Sequence, residues 1–583
     1  MTDKKNKTTR LRLAHINDTH SYFEPTSLQL TIAVDGVELA PFVSAGGFAR
    51  IATRVNQLKQ QSEQNQQGFL FLHAGDCFQG TLYFSLFKGE ANATMLNALN
   101  IDAMALGNHE LDMGNEPVAH FANRIQFPLL AGNWDLSNEL AEKPIKLGNN
   151  TNIVSFEAQQ KHAQWIEKSI DGEKVAIFSL ALDKMADISN PDWDTPFVNA
   201  IETAKNTVAA ILTRGINKII LLSHMGYEAD LDLANHVDGI SVVVGGHSHR
   251  LQGDFSGLGL AKDDDYGVKV KQTYIVQAGL HALSLGHCDL EFAADGALLS
   301  FNGKNELLLG RRLFIDANMS DTHNDSPYQV ARSYIDNHPN VVVCKKDRDL
   351  QALLEDKYTS QVRQLQKQVI AVCDRKLRHV RIPDEQGSSD IAPLVAESFL
   401  YKMDKLGHEV DFAIHNAGGV RNSLSTGSVS IADIAGKLLP FAVPIGVYRI
   451  EGRYIAPILE GAINNALNNG VAGTGDGSYP YTHQLSFDYI CDAPMGERIK
   501  NLMLLERNGT WQPIEENKVY CGTSSAYTMK GKEGYEAITN MQGEGIVTTV
   551  SMADCLIDLL TDQPEALNRA NITGINQRWH KGC

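Results

Sequence analysis

Five short apolar runs in the first 250 residues are each followed at once by side chains that bind metals or move protons. After 11–16 comes Asn17-Asp18-Thr19-His20, and after 69–73 comes Gly75-Asp76. Run 103–106 leads into Gly107-Asn108-His109-Glu110-Leu111-Asp112. Run 219–222 leads into Ser223-His224, and 240–244 into Gly245-Gly246-His247-Ser248-His249. Each fragment alone has an ordinary reading. Asp-x-His and Gly-Asp are common turns, Asn108 is a possible helix N-cap, and two histidines around a serine make a surface loop. The ordered set is different. Mixed imidazole and carboxylate ligands suit zinc, manganese, iron or cobalt better than calcium or magnesium. Asp18, His20, Asp76, Asn108, His224, His247 and His249 are too many for one tetrahedral ion. They suffice for two cations about 3.5–4 Å apart, bridged by one carboxylate.

Something must bring these groups to one edge. The apolar runs have strand length, and the segments between them are helix-like. In 198–212, for example, Val198, Ile201, Ala204, Val208, Ile211 and Leu212 recur at helical spacing. Strands covered by helices on both sides explain continuous apolar runs. An open α/β sheet binds its ligands beyond the carboxyl ends of its strands, where all five clusters fall. Glycines 75, 107, 245 and 246 let the chain turn sharply off a strand.

With 583 residues the chain is too long for a single core, so at least two domains are expected. An α/β layered domain spans 1–320. Residues 321–369 form a linker, polar over 318–327, that continues into a connecting helix over 345–372. Leu350, Leu353, Leu354, Tyr358 and Val362 stripe that helix. A second mixed domain spans 370–583. The net charge of −17 argues against extended nucleic acid as a partner. No apolar run approaches the roughly 20 residues that cross a bilayer, so no membrane is expected. The polar start leads into an apolar run too short for a signal core. This fits a cytoplasmic protein, or a periplasmic or secreted one whose signal has been removed. The eight cysteines are scattered without a CxxC pair, which fits free thiols. Oligomeric state has no signature in the sequence.

The ordered set Asp18-x-His20, Gly75-Asp76, Gly107-Asn108-His109-Glu110, His224 and Gly246-His247-x-His249 resembles the calcineurin-like metallophosphoesterases. Gly46-Gly47-Phe48-Ala49-Arg50 and Asn133 resemble their nucleotidase branch. In the second half Asn416-Ala417-Gly418-Gly419-Val420-Arg421, Leu439-Pro440-Phe441 and Gly531-Lys532-Glu533-Gly534-Tyr535 resemble the C-terminal domain of 5′-nucleotidases and UDP-sugar hydrolases. The resemblance covers nearly the whole chain. It implies a four-layer αββα metallophosphoesterase domain joined by a helix to an α/β substrate-binding domain.

It also implies a dinuclear centre of two divalent transition metals (Zn, Mn, Co or Fe). Asp18, His20 and His249 would hold one cation, Asn108, His224 and His247 the other, with Asp76 bridging. A bridging hydroxide would attack phosphorus. His109 would stabilise the transition state or the leaving oxygen, with Asp112 fixing its tautomer. By the same resemblance Phe441 and Tyr527 sandwich a nucleotide base, Glu533 takes the ribose hydroxyls, and Arg421 pairs with phosphate. Asn416, Gly418 and Gly419 contact the nucleotide, and Arg378 and Arg381 are the upstream phosphate-binding candidates. Glu533 and Tyr527 stand where the family commonly has Asp and Phe. Segments 389–394 and 479–484 also depart from its usual pattern. The activity implied is removal of phosphate from nucleotides, with UDP-sugar pyrophosphate cleavage by the same centre. A 2′,3′-cyclic-nucleotide phosphodiesterase with 3′-nucleotidase activity remains the alternative. A non-catalytic nucleotide-binding protein is the other, although a decayed site should have lost ligands and all seven are present.

Overall fold

The structure, a computed structural model, describes residues 8–34, 36–315, 325–441, 443–543, 545–569 and 577–580. The chain divides into two compact units: residues 1–79 with 87–359, and residues 80–86 with 360–583.

In the first unit two sheets stack face to face. The larger has ten strands. Its path runs Thr26–Gln29, Phe42–Ala45, Leu298–Phe314, Ser284–Phe292, Thr9–Ile16, Gly68–His73, Ala103–Ala105, Leu129–Leu130 and Ile153–Val154. Val341–Val343 pairs beside Leu298–Phe314. The second sheet runs Ile166–Ile170, Glu173–Ala181, Ile219–His224, Val242–Val244, Thr273–Val276 and Val268–Val270. Leu11, Leu13, Leu70 and Leu72 of one sheet meet Val175, Ile177, Ile220 and Leu222 of the other in a single core. On the far side of the second sheet, Phe178, Leu221 and Val243 pack with Ala204, Val208 and Ile211 of helix Ala200–Thr213. Helix Phe48–Gln64 buries Ile51, Val55 and Leu58 and packs on strand Gly68–His73. Strands buried on both faces cannot alternate polar and apolar residues, which is why the five runs read as continuous. The result is the four-layer αββα arrangement.

Thr9–Ile16, Gly68–His73 and Ala103–Ala105 are parallel neighbours in one sheet. Ile219–His224 and Val242–Val244 are parallel neighbours in the other. All five therefore end at the same edge of the sandwich.

The connecting helix differs from expectation at its end. Arg348–Leu354 is α-helical, Glu355–Thr359 takes wider i→i+5 turns, and Ser360–Lys367 returns to α. Leu350, Leu354, Tyr358 and Val362 are buried at strict four-residue spacing. At about 100° per residue that stripe drifts some 40° per step, and a wide turn realigns it. Val369–Cys373 is a strand paired with Gly427–Ser430, not a continuation of the helix. Its β-branched Val369, Ile370 and Val372 favour that state. Of the polar stretch 318–327, residues 318–324 lie outside the described residues, and helix Ser326–Asn337 begins at its end.

The second unit carries a five-stranded sheet in the order Pro480–His483, Phe412–Asn416, Val519–Ser525, Pro444–Glu451 and Ile546–Ser551. Helices Ala392–Lys405, Ile455–Leu467 and Met552–Asp562 belong to the same unit. A smaller sheet runs Trp511–Pro513, Ile499–Leu505, Leu485–Ile490 and Gln577–His580. Cys491 is disulfide-bonded, which corrects the expectation of free thiols throughout. Cys77, Cys288, Cys344, Cys373, Cys521 and Cys555 are free. Among the described residues no helix is long and apolar enough to cross a membrane.

Candidate functional site

The five strand ends gather two ligand sets. In one, ligand atoms of Asp18, His20 and His249 all lie within 4.8 Å of one another; in the other, those of Asp76, His224 and His247 do. Asn108 joins the second set, its Oδ1 lying 2.9 Å from His247 Nδ1 and 3.2 Å from His224 Nε2. The His247 backbone N–H reaches Asp18 Oδ2 at 3.0 Å, so the loop that carries one set touches the other.

The tautomers suit cations. His20 Nδ1 donates to the Phe78 carbonyl at 3.0 Å, and His224 Nδ1 donates to the Ala74 carbonyl at 2.7 Å. Each bond fixes Nδ1 as the donor and turns Nε2 toward the cluster, the orientation that metal-binding imidazoles use. Asp18 and Asp76 are fully buried carboxylates surrounded by imidazoles. Burial opposes a charged His224, yet Asp76 at 3.1 Å outweighs it and raises the imidazole to about 9. The buried negative charge thus draws in a cation, and in a set of imidazole and carboxylate donors a divalent transition metal fits that demand.

Backbone strain concentrates at the same place. Asp18, His20, Asp76, His247 and His249, five of the seven candidate ligands, hold positive φ between 46° and 69°. Such conformations cost about 1–3 kcal/mol each in a non-glycine residue and persist where surrounding contacts enforce them. Close packing explains Gly107 better than its dihedrals do, since a Cβ there would sit 2.2 Å from Asp76 Oδ1.

His109 sits beside the sets without joining either. Its Nδ1 lies 2.6 Å from Asp112 Oδ2, which also accepts from Gln79 at 2.9 Å. Ser189 donates to the other Asp112 oxygen at 3.1 Å. Burial disfavours the imidazolium, but Asp112 and Asp76 prevail and hold His109 at about 10. The structure thus brings His109 and Asp112 together in one hydrogen bond.

Glu110, in the Gly107-Asn108-His109-Glu110 motif, has a specific task. The residue is fully buried. One carboxylate oxygen accepts the backbone N–H groups of Cys77 and Phe78, and the other accepts those of Asp76 and Gly107, at 2.7–3.0 Å. It staples the loop bearing Asp76 to the loop bearing Asn108. The signal available in the sequence was a carboxylate between strand-end residues that are otherwise apolar or ligating. Glu110→Gln would turn an NH2 group toward two N–H donors. At about 1.5–3 kcal/mol per charged hydrogen bond, losing two should cost about 3–6 kcal/mol. A thermal melt should show the midpoint lowered by several degrees, and an unchanged midpoint would overturn this role. Cys77 is fully buried, and burial followed by Glu110 pushes its thiol well up, so it is a packed residue.

In the second unit Asn416 ends strand Phe412–Asn416, and the turn Ala417–Gly419 follows. A Cβ at Gly418 would lie 3.2 Å from Gly477 Cα, and one at Gly419 would lie 2.6 Å from the His415 ring. Arg421 donates to the Gly418 carbonyl at 3.3 Å and lies 5.3 Å from the Phe441 ring centroid. Glu533, at φ 53°, has its carboxyl raised by burial, opposed by a hydrogen bond from Tyr527 and the charge of Arg381. Burial and then Arg381 lower Arg421. Arg381, Arg421, Phe441, Tyr527 and Glu533 are therefore linked through these contacts and charges. Arg381 also pairs with Asp476 at 2.6 Å. Arg378 pairs with Asp384 and the Gly387 carbonyl. The departing segment 479–484 supplies Tyr481, whose hydroxyl donates to the Val380 carbonyl at 2.8 Å and braces the arginine segment.

Residues 11–251 match the family described as calcineurin-like phosphoesterase, and 369–540 match the 5′-nucleotidase C-terminal domain. A probable 5′-nucleotidase of Treponema pallidum is 29% identical over 551 residues, covering 91% of this chain and 87% of that protein. The NAD 5′-nucleotidase of Haemophilus influenzae is 28% identical over 589 residues, covering 97% and 93%. The crystal structure of a 5′-nucleotidase precursor from Thermus thermophilus superposes with a TM-score of 0.67 at 28% identity, covering 95% and 96%.

Proposed function

We propose that this chain, a metal-dependent phosphoester hydrolase of the 5′-nucleotidase family, removes phosphate from 5′-nucleotides with two divalent transition cations. What supports this most is the pair of ligand sets at one sandwich edge, with His109 beside them. Asp18, His20 and His249 would hold one cation and Asn108, His224 and His247 the other, with Asp76 contributing to both. Such cations supply an acidified water and neutralise phosphate oxygens. The protein contributes position and fixed charge, which is most of what phosphoryl transfer requires. The Ala74 and Phe78 carbonyls keep the imidazoles turned inward, and Glu110 keeps two loops in register. His109, oriented by Asp112, turns its Nε2 to the transition state, either at the leaving oxygen or at the other phosphoryl oxygens.

The nucleoside is held by the second unit. Phe441 and Tyr527 take the base between them, an interaction that tolerates different bases. Glu533 accepts the ribose hydroxyls, and Arg381 and Arg421 pair with phosphate. Asn416, Gly418 and Gly419 shape the turn beneath. Arg378, which engages Asp384 and the Gly387 carbonyl, is the further upstream phosphate-binding candidate.

The test is product release from 5′-AMP, 3′-AMP, 2′,3′-cyclic AMP, UDP-glucose and NAD, the last included because of the Haemophilus relative's name. Each is assayed with added Mn2+, Zn2+ or Co2+, and with chelator. We expect metal-dependent phosphate release from 5′-AMP, abolished by chelation. Release confined to 3′-AMP or the cyclic nucleotide would keep the metal centre and overturn the substrate assignment. Equal rates on 5′-AMP and base-free ribose 5-phosphate would overturn the second unit's role.

A further inference from the structure

One buried imidazole at the site belongs to neither ligand set. His73, the last residue of strand Gly68–His73, is fully buried. The backbone N–H of Gly75 donates to its Nδ1 at 3.1 Å. That nitrogen is therefore the acceptor, and the ring proton must sit on Nε2. Nε2 faces Thr19 Oγ1 at 2.9 Å and donates to it. One neutral ring thus bonds to both loops that leave neighbouring strands: the loop that carries Asp76 and the loop that carries Asp18 and His20.

Thr19 stands between two candidate ligands, and both are strained. Asp18 has φ 49° and His20 has φ 46°. Backbone bonds hold the two loops side by side, from Asp18 N–H to the Gly75 carbonyl at 2.9 Å and from His20 N–H to the Asp76 carbonyl at 3.1 Å. These bonds fix the separation of the loops. They leave the rotation of the peptide units around Thr19 less constrained, and two left-handed residues in close succession relax unless other contacts over-determine them. The His73–Thr19 bond is a side-chain tether at that point. Burial leads the effects on His73 and holds it neutral, with a pKa near 3, so the donor does not change with ordinary pH.

We infer that His73 is a positioning residue for the cation held by Asp18, His20 and His249, acting through Thr19. The inference rests on the two-metal reading. Outer partners of this kind usually change metal affinity ten- to hundredfold when removed. Thr19→Val keeps the shape and removes the acceptor. His73→Leu removes both bonds, whereas His73→Gln keeps a donor near the Nε2 position.

Metal binding by equilibrium dialysis with Mn2+ or Zn2+ alone, read as stoichiometry and affinity, tests it apart from activity. We expect Thr19→Val to weaken one of two cations ten- to hundredfold, to leave the other unchanged, and to lower the thermal midpoint by no more than about a few degrees, the effect of one unpaired buried donor. His73→Gln should recover much of the affinity that His73→Leu loses. The double variant His73→Leu/Thr19→Val should bind no worse than His73→Leu, since both remove the same bond. Wild-type affinity for both cations in Thr19→Val would overturn the inference and leave the two-metal reading standing. A wild-type protein that binds fewer than two cations would overturn both.

Discussion

Asp76→Asn should lower kcat/KM for 5′-AMP about a thousandfold or more, even with excess divalent metal. Asparagine is the informative replacement. It tolerates the left-handed backbone that Asp76 adopts at φ 59°, and its amide oxygen can still accept the His109 N–H that Asp76 Oδ1 accepts at 2.8 Å. Backbone and loop are therefore kept while the buried negative charge is lost. That charge lies 3.1 Å from His224 Nε2. His20, of the other set, is also among the groups that pull the Asp76 carboxyl well below the usual range against burial. A residue that serves two cations should weaken both when neutralised. Asp18→Asn, by contrast, should affect the cation of the His20 and His249 set first. Metal content by mass spectrometry separates the two patterns. An Asp76→Asn protein with two cations and activity within tenfold of the wild type would remove Asp76 from between them.

How far the sequence discloses this site depends on which physical quantity is asked for. The strands and the gathering of the candidate ligands at their ends were legible, because buried parallel strands must be continuously apolar and their ends must turn. Helix Ala200–Thr213 was legible from its periodicity. Local dihedrals were not. Positive φ at Asp18, His20, Asp76, His247 and His249 contradicts what those residue types prefer, and only tertiary contacts impose it. Bonds made by buried polar groups were also hidden. Glu110 and His73 connect segments that are distant in sequence, and no local pattern marks an acceptor for another loop's N–H. In the second unit the arginines lie in loops without periodicity. Nothing in the spacing foretold that Asp384 would engage Arg378 while Arg381 and Arg421 lie near each other. The strand at Val369–Cys373 is a different kind of miss, since its β-branched residues did carry the signal and the helical stripe before it was extended too far.

His109→Ala should lower kcat for 5′-AMP by about 10²–10⁴, the range expected for a positioned proton donor, with both cations retained. His109 contributes its backbone N–H to Asp76, and alanine keeps that N–H, so the metal sets need not move. Only the imidazole is lost. With Nδ1 bonded to Asp112, its remaining nitrogen is Nε2, on a side chain that is 25% exposed. Asp112→Asn should cost less. Gln79 and Ser189 also bond to Asp112, and the ring survives with a weaker partner. The leaving group then distinguishes the two tasks open to His109. An alkoxide leaving from AMP needs a proton in the transition state, whereas nitrophenolate does not. If Nε2 donates to the leaving oxygen, the His109→Ala defect should shrink to within about tenfold on p-nitrophenyl phosphate while remaining large on AMP. If Nε2 instead stabilises the other phosphoryl oxygens, the defect should be equal on both substrates, because the charge on those oxygens arises with either leaving group.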